Sequence, residues 1–224
     1  MRHRFQSVLL TLICCGCASR TPSLSQKISS IMPKDADFSF RAHEGWSTNL
    51  LKGVRLAETT AQDAAHEITK IMDGEPSTTW TGKGYGHKPE FTFDLGRTIE
   101  FNRLVIFNRH TDARGTGGGN NAARDLVIYG SIPDQTDTFF VVCETTLPGP
   151  RAQCIEHEGR RACFFIDNTE PVVIKLPKTR VRLLRIQILS AYWTSSAESN
   201  WPSELSYALS EVMVFLAVES PDTR

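Results

Sequence analysis

Short runs in which apolar and polar residues alternate dominate the chain. Phe91, Phe93 and Leu95 fall on one face of an extended segment, as do Leu126 and Ile128, then Phe139, Val141 and Cys143. Val172, Ile174 and Leu176 follow, then Leu184, Ile186 and Ile188, and finally Val212, Val214, Leu216 and Val218. A period of two over such short runs, with no 3.6-residue stripe of useful length, predicts strands, and the class is all-β. Leu104-Val105-Ile106-Phe107 is apolar on both faces, which suits a central strand between a second sheet and covering loops. A two-sheet β-sandwich follows, and these positions are its core faces.

Two stretches escape the alternation. Residues 108–123 (NRHTDARGTGGGNNAA) form a long glycine-rich connection, and residues 190–208 form another that is rich in aromatics. Connections of this length in a compact domain are commonly functional or disordered. Gly117 to Ala122 formally matches G-x-G-x-x-A, but a strand from Arg124 to Tyr129 follows and not a helix, so no dinucleotide cradle is expected. No internal repeat or heptad is visible.

The start of the chain has a separate logic. Arg2, His3 and Arg4 precede an apolar stretch from Val8 to Ile13, broken only by Thr11, and Cys14, Cys15, Gly16 and Cys17 come next. The stretch is too short to span a bilayer and fits the apolar region of a secretory signal peptide. Gly16-Cys17 resembles the bacterial lipobox, whose cysteine receives a diacylglyceryl group, with Cys14 where that motif carries Leu. Cleavage after Ala18 and simple secretion is the alternative. The expected organisation is a lipoprotein-type signal peptide at 1–17, a flexible polar tether at 18–45, one folded domain at 46–218 and a tail at 219–224. The protein is then exported to a bacterial cell envelope and anchored to the membrane through Cys17.

Composition narrows the partners. A chain of 224 residues with 40% hydrophobic residues supports one substantial core. The 25 Lys and Arg residues balance 25 Asp and Glu, so there is no positive field to hold nucleic acid. Glu158-Gly159 reads as a two-residue hairpin turn whose register sets Cys154 opposite Cys163, so a disulfide is expected there and Cys143 is left as a buried, inert thiol. His43, His66, His87, His110 and His157 are scattered singly, and beyond the signal peptide there is no H-x-x-x-H, C-x-x-C or G-x-S-x-G. The reading is a binding module and not an enzyme.

Asp73, Glu75 and Thr78 sit on one tight turn that offers hard oxygens at short spacing, as Ca²⁺ prefers. That turn opens the most informative stretch, Lys70-Ile71-Met72-Asp73-Gly74-Glu75-Pro76-Ser77-Thr78-Thr79-Trp80, with Trp80 taken as core. It is followed by Phe91-Thr92-Phe93-Asp94-Leu95-Gly96, the strand ending Asn108-Arg109, the segment Arg124 to Ser131 and the strand Ser210 to Phe215. As an ordered set over roughly 46–218, these resemble the discoidin family, also called coagulation factor 5/8 C-terminal domains, which overlaps carbohydrate-binding module family 32. The resemblance implies a discoidin-like, galactose-binding-like jelly-roll β-sandwich. It also implies a structural calcium ion held by the backbone carbonyls of Lys70 and Ser210, by Asp73, Glu75 and Thr78, and by the side chain of Glu211. The alternative is that Asp73 and Thr78 only cap the turn.

Candidate ligand residues are polar and aromatic groups on the long loops: Tyr85 and His87; Arg109, His110, Asp112 and Arg114; Tyr192, Trp193, Asn200 and Trp201. Aromatic faces and charged or amide groups are what sugars require. In galactose-binding relatives an Arg shortly after the corresponding strand contacts the sugar, and Arg109 stands at the matching place, while Thr81 stands where those relatives often carry His. The competing expectation is that Arg109 anchors its loop and that Trp193 and Trp201 pack over the sandwich end. The expected function is recognition of a glycan or another cell-surface polymer. The alternatives are a protein-interaction or structural lipoprotein without sugar binding, and an accessory subunit of a separate enzyme.

Overall fold

The computed structural model describes residues 21–60, 68–83, 88–109, 121–132, 138–192 and 206–218. The chain divides into two units, residues 1–31 and residues 32–224. In the first, α1 (Leu24–Ile31) is a short helix with no buried residue. Ser23 and Gln26 box its start: the Gln26 side chain accepts from the Ser23 N–H at 2.8 Å, and the Ser23 hydroxyl accepts from the Gln26 N–H at 3.3 Å. The segment expected to be a flexible tether thus includes this capped eight-residue helix.

Among the described residues the second unit contains ten strands: β1 (Arg55–Thr59), β2 (Trp80–Lys83), β3 (Glu90–Phe107), β4 (Asp125–Ser131), β5 (Phe140–Thr146), β6 (Arg151–His157), β7 (Arg160–Ile166), β8 (Val172–Ile188), β9 (Ser206–Leu209) and β10 (Glu211–Phe215). The principal sheet runs β1-β3-β8-β4-β5, with β10 also paired to β3; β2 and β9 form one two-stranded ribbon and β6 and β7 another. Every pairing between these strands is antiparallel. The fold is the β-sandwich that the alternation implies, of the discoidin-like form that the resemblance implies.

The long β3 serves both ends of the sheet. Phe91 to Asp94 pair with β1, Arg103 to Phe107 pair with β10, and β8 accompanies both halves across two register shifts. Between them Gly96 adopts φ +71°, a left-handed value that a residue with a Cβ reaches only under strain, and its N–H is taken by the Asp94 side chain at 2.9 Å. Leu104 and Ile106 enter the main core with Trp80, Phe91, Phe93, Ile128, Leu184, Ile186, Val212 and Val214. Val105 and Phe107 point the other way, into a second cluster with Met213, Phe215 and Phe38, against which Phe40 and Trp46 pack.

This second cluster corrects the expected tether. Phe38 is 3% exposed, and the Phe40 ring lies 5.6 Å from Phe215 and 6.1 Å from Trp46. Residues 35–46 are thus a strap over the outer face of β3 and β10, and the apolar residues on that face are why it packs there.

Two further alternations end differently from expectation. Leu126 and Ile128 are buried, but the β4–β5 register slips between Ile128 and Tyr129, so that Ile128 faces Cys143 and Tyr129 faces Val141. Val142 and Cys143 both reach the core while Val141 is 52% exposed, because a bulge turns the residues beyond it to the opposite face. At the other end β10 stops at Phe215 and Val218 is 79% exposed.

In the β6–β7 hairpin, Glu158 (φ +52°) and Gly159 (φ +73°) form a turn with two left-handed residues, matching the twist of the strands. Cys154 stands opposite Cys163 in that register and is bonded to it. Cys143 is a free, partly buried thiol, and burial followed by the nearby Glu144 carboxylate pushes it up to about 11.

Candidate functional site

The turn before β2 gathers oxygens. Ile68 and Ile71 are fully buried and fix its base, and Gly74 (φ +85°) reverses the chain. Asp73 accepts the Glu75 N–H at 2.7 Å through one oxygen and the Thr78 hydroxyl at 2.9 Å through the other. That hydroxyl also lies 3.0 Å from the Glu75 carbonyl and 3.5 Å from the Lys70 carbonyl. A hydroxyl has one hydrogen to give, so it serves one of these acceptors at a time, while the Glu75 carbonyl also accepts the Thr78 N–H at 2.9 Å.

From β10, Glu211 closes the site. It is fully buried; one carboxylate oxygen accepts the Gly74 N–H at 3.1 Å, and the other accepts nothing from the described residues. Burial first, and the Asp73 carboxylate beside it second, push the Glu211 carboxyl up to about 10. The Asp73 carboxylate, the buried Glu211 carboxyl with its unpartnered oxygen, carbonyls and a hydroxyl thus converge on one place. Its donor set is all oxygen, the set that Ca²⁺ takes and Zn²⁺ does not favour. Among the described residues no three His, Cys, Asp or Glu side chains form a group that could hold a metal ion.

All six residues expected at a cation site, Lys70, Asp73, Glu75, Thr78, Ser210 and Glu211, belong to this turn or to the start of β10. For two of them the structure adds a further detail. The Glu75 side chain is exposed and the residue enters through its backbone. The Ser210 hydroxyl lies within hydrogen-bond reach of the Pro76 carbonyl, at 2.6 Å, and of the Thr78 carbonyl, clamping the turn from behind.

The expected ligand residues divide. Arg109 is engaged with protein: its guanidinium donates to the Ser77 carbonyl, lies 3.5 Å from Asp167 and 3.6 Å from Asp35, and sits 4.2 Å above the Phe38 ring. Tyr192 donates to the Leu147 carbonyl at 2.6 Å, and its ring lies where a side chain at Gly149 would stand, 3.0 Å away. Both side chains are engaged within the protein. Tyr85, His87, His110, Asp112, Arg114, Trp193, Asn200 and Trp201 lie outside the described residues, as does Cys17. Sequence reasoning missed Asp35, Phe38 and Asp167; Phe38-x-Phe40, an alternation in an otherwise polar stretch, was the available signal for the strap.

The stems of the long connections are described, and they adjoin one another. Lys83 pairs with Ser206 and Thr81 with Ala208 in the β2–β9 ribbon. Ala122 bridges Ala208, and Ala123 bridges Ala191. Residues that border 84–87, 110–120 and 193–205 are thereby hydrogen-bonded together along one edge.

Fold and site define a discoidin-like sandwich with an oxygen-lined turn beneath a set of adjoining loop stems. The chain belongs to the F5/8 type C domain family, whose model matches residues 56–203. No curated protein matches it. Among solved structures, it is similar to the family 32 module of Clostridium perfringens NanJ in complex with galactose (13% identity, 72% of this chain and 93% of that one, TM-score 0.47). It is similar also to CBM32-3 of a family 31 glycoside hydrolase from Clostridium perfringens (14% identity, 82% and 97%, TM-score 0.49). A third is the C-terminal domain of a chitobiase from Bacteroides fragilis (12% identity, 79% and 97%, TM-score 0.46).

Proposed function

We propose that this chain is a non-catalytic recognition module that binds a glycan or another cell-surface polymer, fastened internally by a calcium ion and held at the membrane by a lipid on Cys17. The observation that carries the recognition role is the adjoining of the loop stems through Lys83 and Ser206, Ala122 and Ala208, and Ala123 and Ala191. Rigid strands that present several connections at one edge are the usual platform for recognition. The connections carry Tyr85, His87, His110, Asp112, Arg114, Trp193, Asn200 and Trp201, the aromatic, charged and amide groups that hold sugars.

Calcium is supported by the orphaned Glu211 oxygen facing Asp73. The residues that would hold it are Asp73 and Glu211 through their carboxylates, Thr78 through its hydroxyl, and Lys70, Glu75 and Ser210 through carbonyls. Bound there, the ion neutralises the two carboxylates and fixes the turn; it supplies no chemistry to a substrate. A glycan array probed with the full chain in calcium tests the reading. Binding to a defined glycan class supports it. Silence across a broad panel with the protein folded favours the alternative, in which the same loops engage a partner protein.

A further inference from the structure

One guanidinium joins four segments of this chain. Arg109, at the end of β3, meets Asp35 and Phe38 of the strap, Ser77 of the cation turn and Asp167 just after β7. Its side chain is 19% exposed, and Asp167 is 6% exposed, so the central pair is shielded from water. The Ser77 peptide is therefore held from one side by Arg109, while its neighbours Pro76 and Thr78 are held from the other by the Ser210 hydroxyl. The same turn supplies the oxygens of Glu75 and Thr78 to the cage around Asp73 and Glu211.

We propose that Arg109 is a positioning residue that couples docking of the strap to cation binding, so that the two are one linked equilibrium. The proposal rests on the calcium reading given above. Phe38 touches no cage oxygen, yet its ring supports the guanidinium that sets the turn, and Phe38 is held in place by Val105, Phe107, Met213 and Phe215. Linkage is reciprocal: if the docked strap raises calcium affinity by some factor, calcium favours the docked strap by the same factor. A released strap adds residues 32–46 to the chain that precedes the domain, about 50 Å of reach when extended. Calcium thereby sets the length of the tether as well as the shape of the turn.

The experiment is calorimetric titration of the full chain with Ca²⁺, for the unsubstituted protein and for Phe38→Ala, Arg109→Lys and Asp35→Asn. Limited trypsin cleavage at Lys34 and Arg41 is followed in parallel with and without Ca²⁺. Phe38→Ala and Arg109→Lys are expected to weaken calcium binding by about fivefold or more while near-ultraviolet circular dichroism shows the fold retained. Calcium is expected to slow cleavage at both strap sites in the unsubstituted protein, and less so in Phe38→Ala. Asp35→Asn, at a carboxylate 80% exposed, keeps the comparison in hand if Phe38→Ala does not fold, and a smaller loss of affinity is expected from it. Calcium binding in the unsubstituted protein with unchanged affinity in the folded variants overturns the coupling and leaves the cage. No calcium binding by the unsubstituted protein overturns both.

Discussion

Glu211 places two opposed demands on one residue, because its burial disfavours charge while the surrounding oxygens suit a cation. Without the ion its carboxyl is held up at about 10, against an ordinary 4.5, by burial and then by Asp73. A folded pKa raised above the unfolded one means that the proton is bound more tightly in the native state. The stability it contributes is whole below pH 4.5 and is lost as pH rises toward about 10. In chelator, the melting temperature should therefore fall as pH is raised across that window, and added Ca²⁺ should restore it by an increment that grows with pH. Glu211→Gln should flatten the pH dependence and abolish the calcium response, and Asp73→Ala should abolish that response as well. Thermal scans at several pH values, each in EDTA and in Ca²⁺, make the check. A melting temperature indifferent to both at every pH leaves the turn as ordinary capping chemistry.

At the scale of elements, the β6–β7 hairpin offers a test independent of any ligand. Its two-residue turn sets Cys154 opposite Cys163, and closing so short a loop by a disulfide stabilises the native state by about 2 to 3 kcal/mol on chain-entropy grounds. Cys154→Ser should cost about that much in denaturant titration. Peptide mapping without reduction should return the 154–163 pair, with Cys143 alkylated slowly before unfolding because burial holds its thiol up at about 11. A disulfide that includes Cys143 contradicts the register. This hairpin was legible in the sequence because its turn chemistry is local, and so were the faces of β3, β4 and β8, because alternation is local too. The β5 bulge was not, since the misplaced residue, Val141, differs from a core valine only in the partner it meets across the strand. Nor was the role of Arg109, which depends on Asp35, Ser77 and Asp167, residues brought to it from as far as 74 positions away in sequence. The cation turn stood between: its acidic and hydroxyl groups are contiguous, but the exposure of the Glu75 side chain and the contacts of the Ser210 hydroxyl with the turn depend on chain path.

For the molecule as a whole, two ends matter, and each has its own test. At the N-terminus, Cys17→Ser should move the protein from the membrane fraction to the soluble one, and intact mass should find a lipid on Cys17 of the unsubstituted chain; Ser19 as the mature N-terminus overturns the anchor. At the recognition end, residues from three connections and residues of the frame should respond in opposite ways. Trp193 and Trp201 belong to a connection whose stem is held by Ala191 and Ser206, so truncating either to Ala should weaken glycan binding about tenfold or more while barely moving the melting temperature. Arg109→Ala should do the reverse, because it removes a guanidinium that meets Ser77, Asp167 and Asp35 at once, a loss of about 2 kcal/mol or more. Tryptophan fluorescence titrated with soluble mono- and oligosaccharides in calcium, beside thermal scans of the same three variants, separates the two behaviours. If the tryptophan variants unfold the domain, those rings are structural cover like Tyr192. If they fold normally and the unsubstituted chain answers no sugar, the same edge of adjoining stems is left to a protein partner, and cross-linking at intact membranes becomes the next measurement.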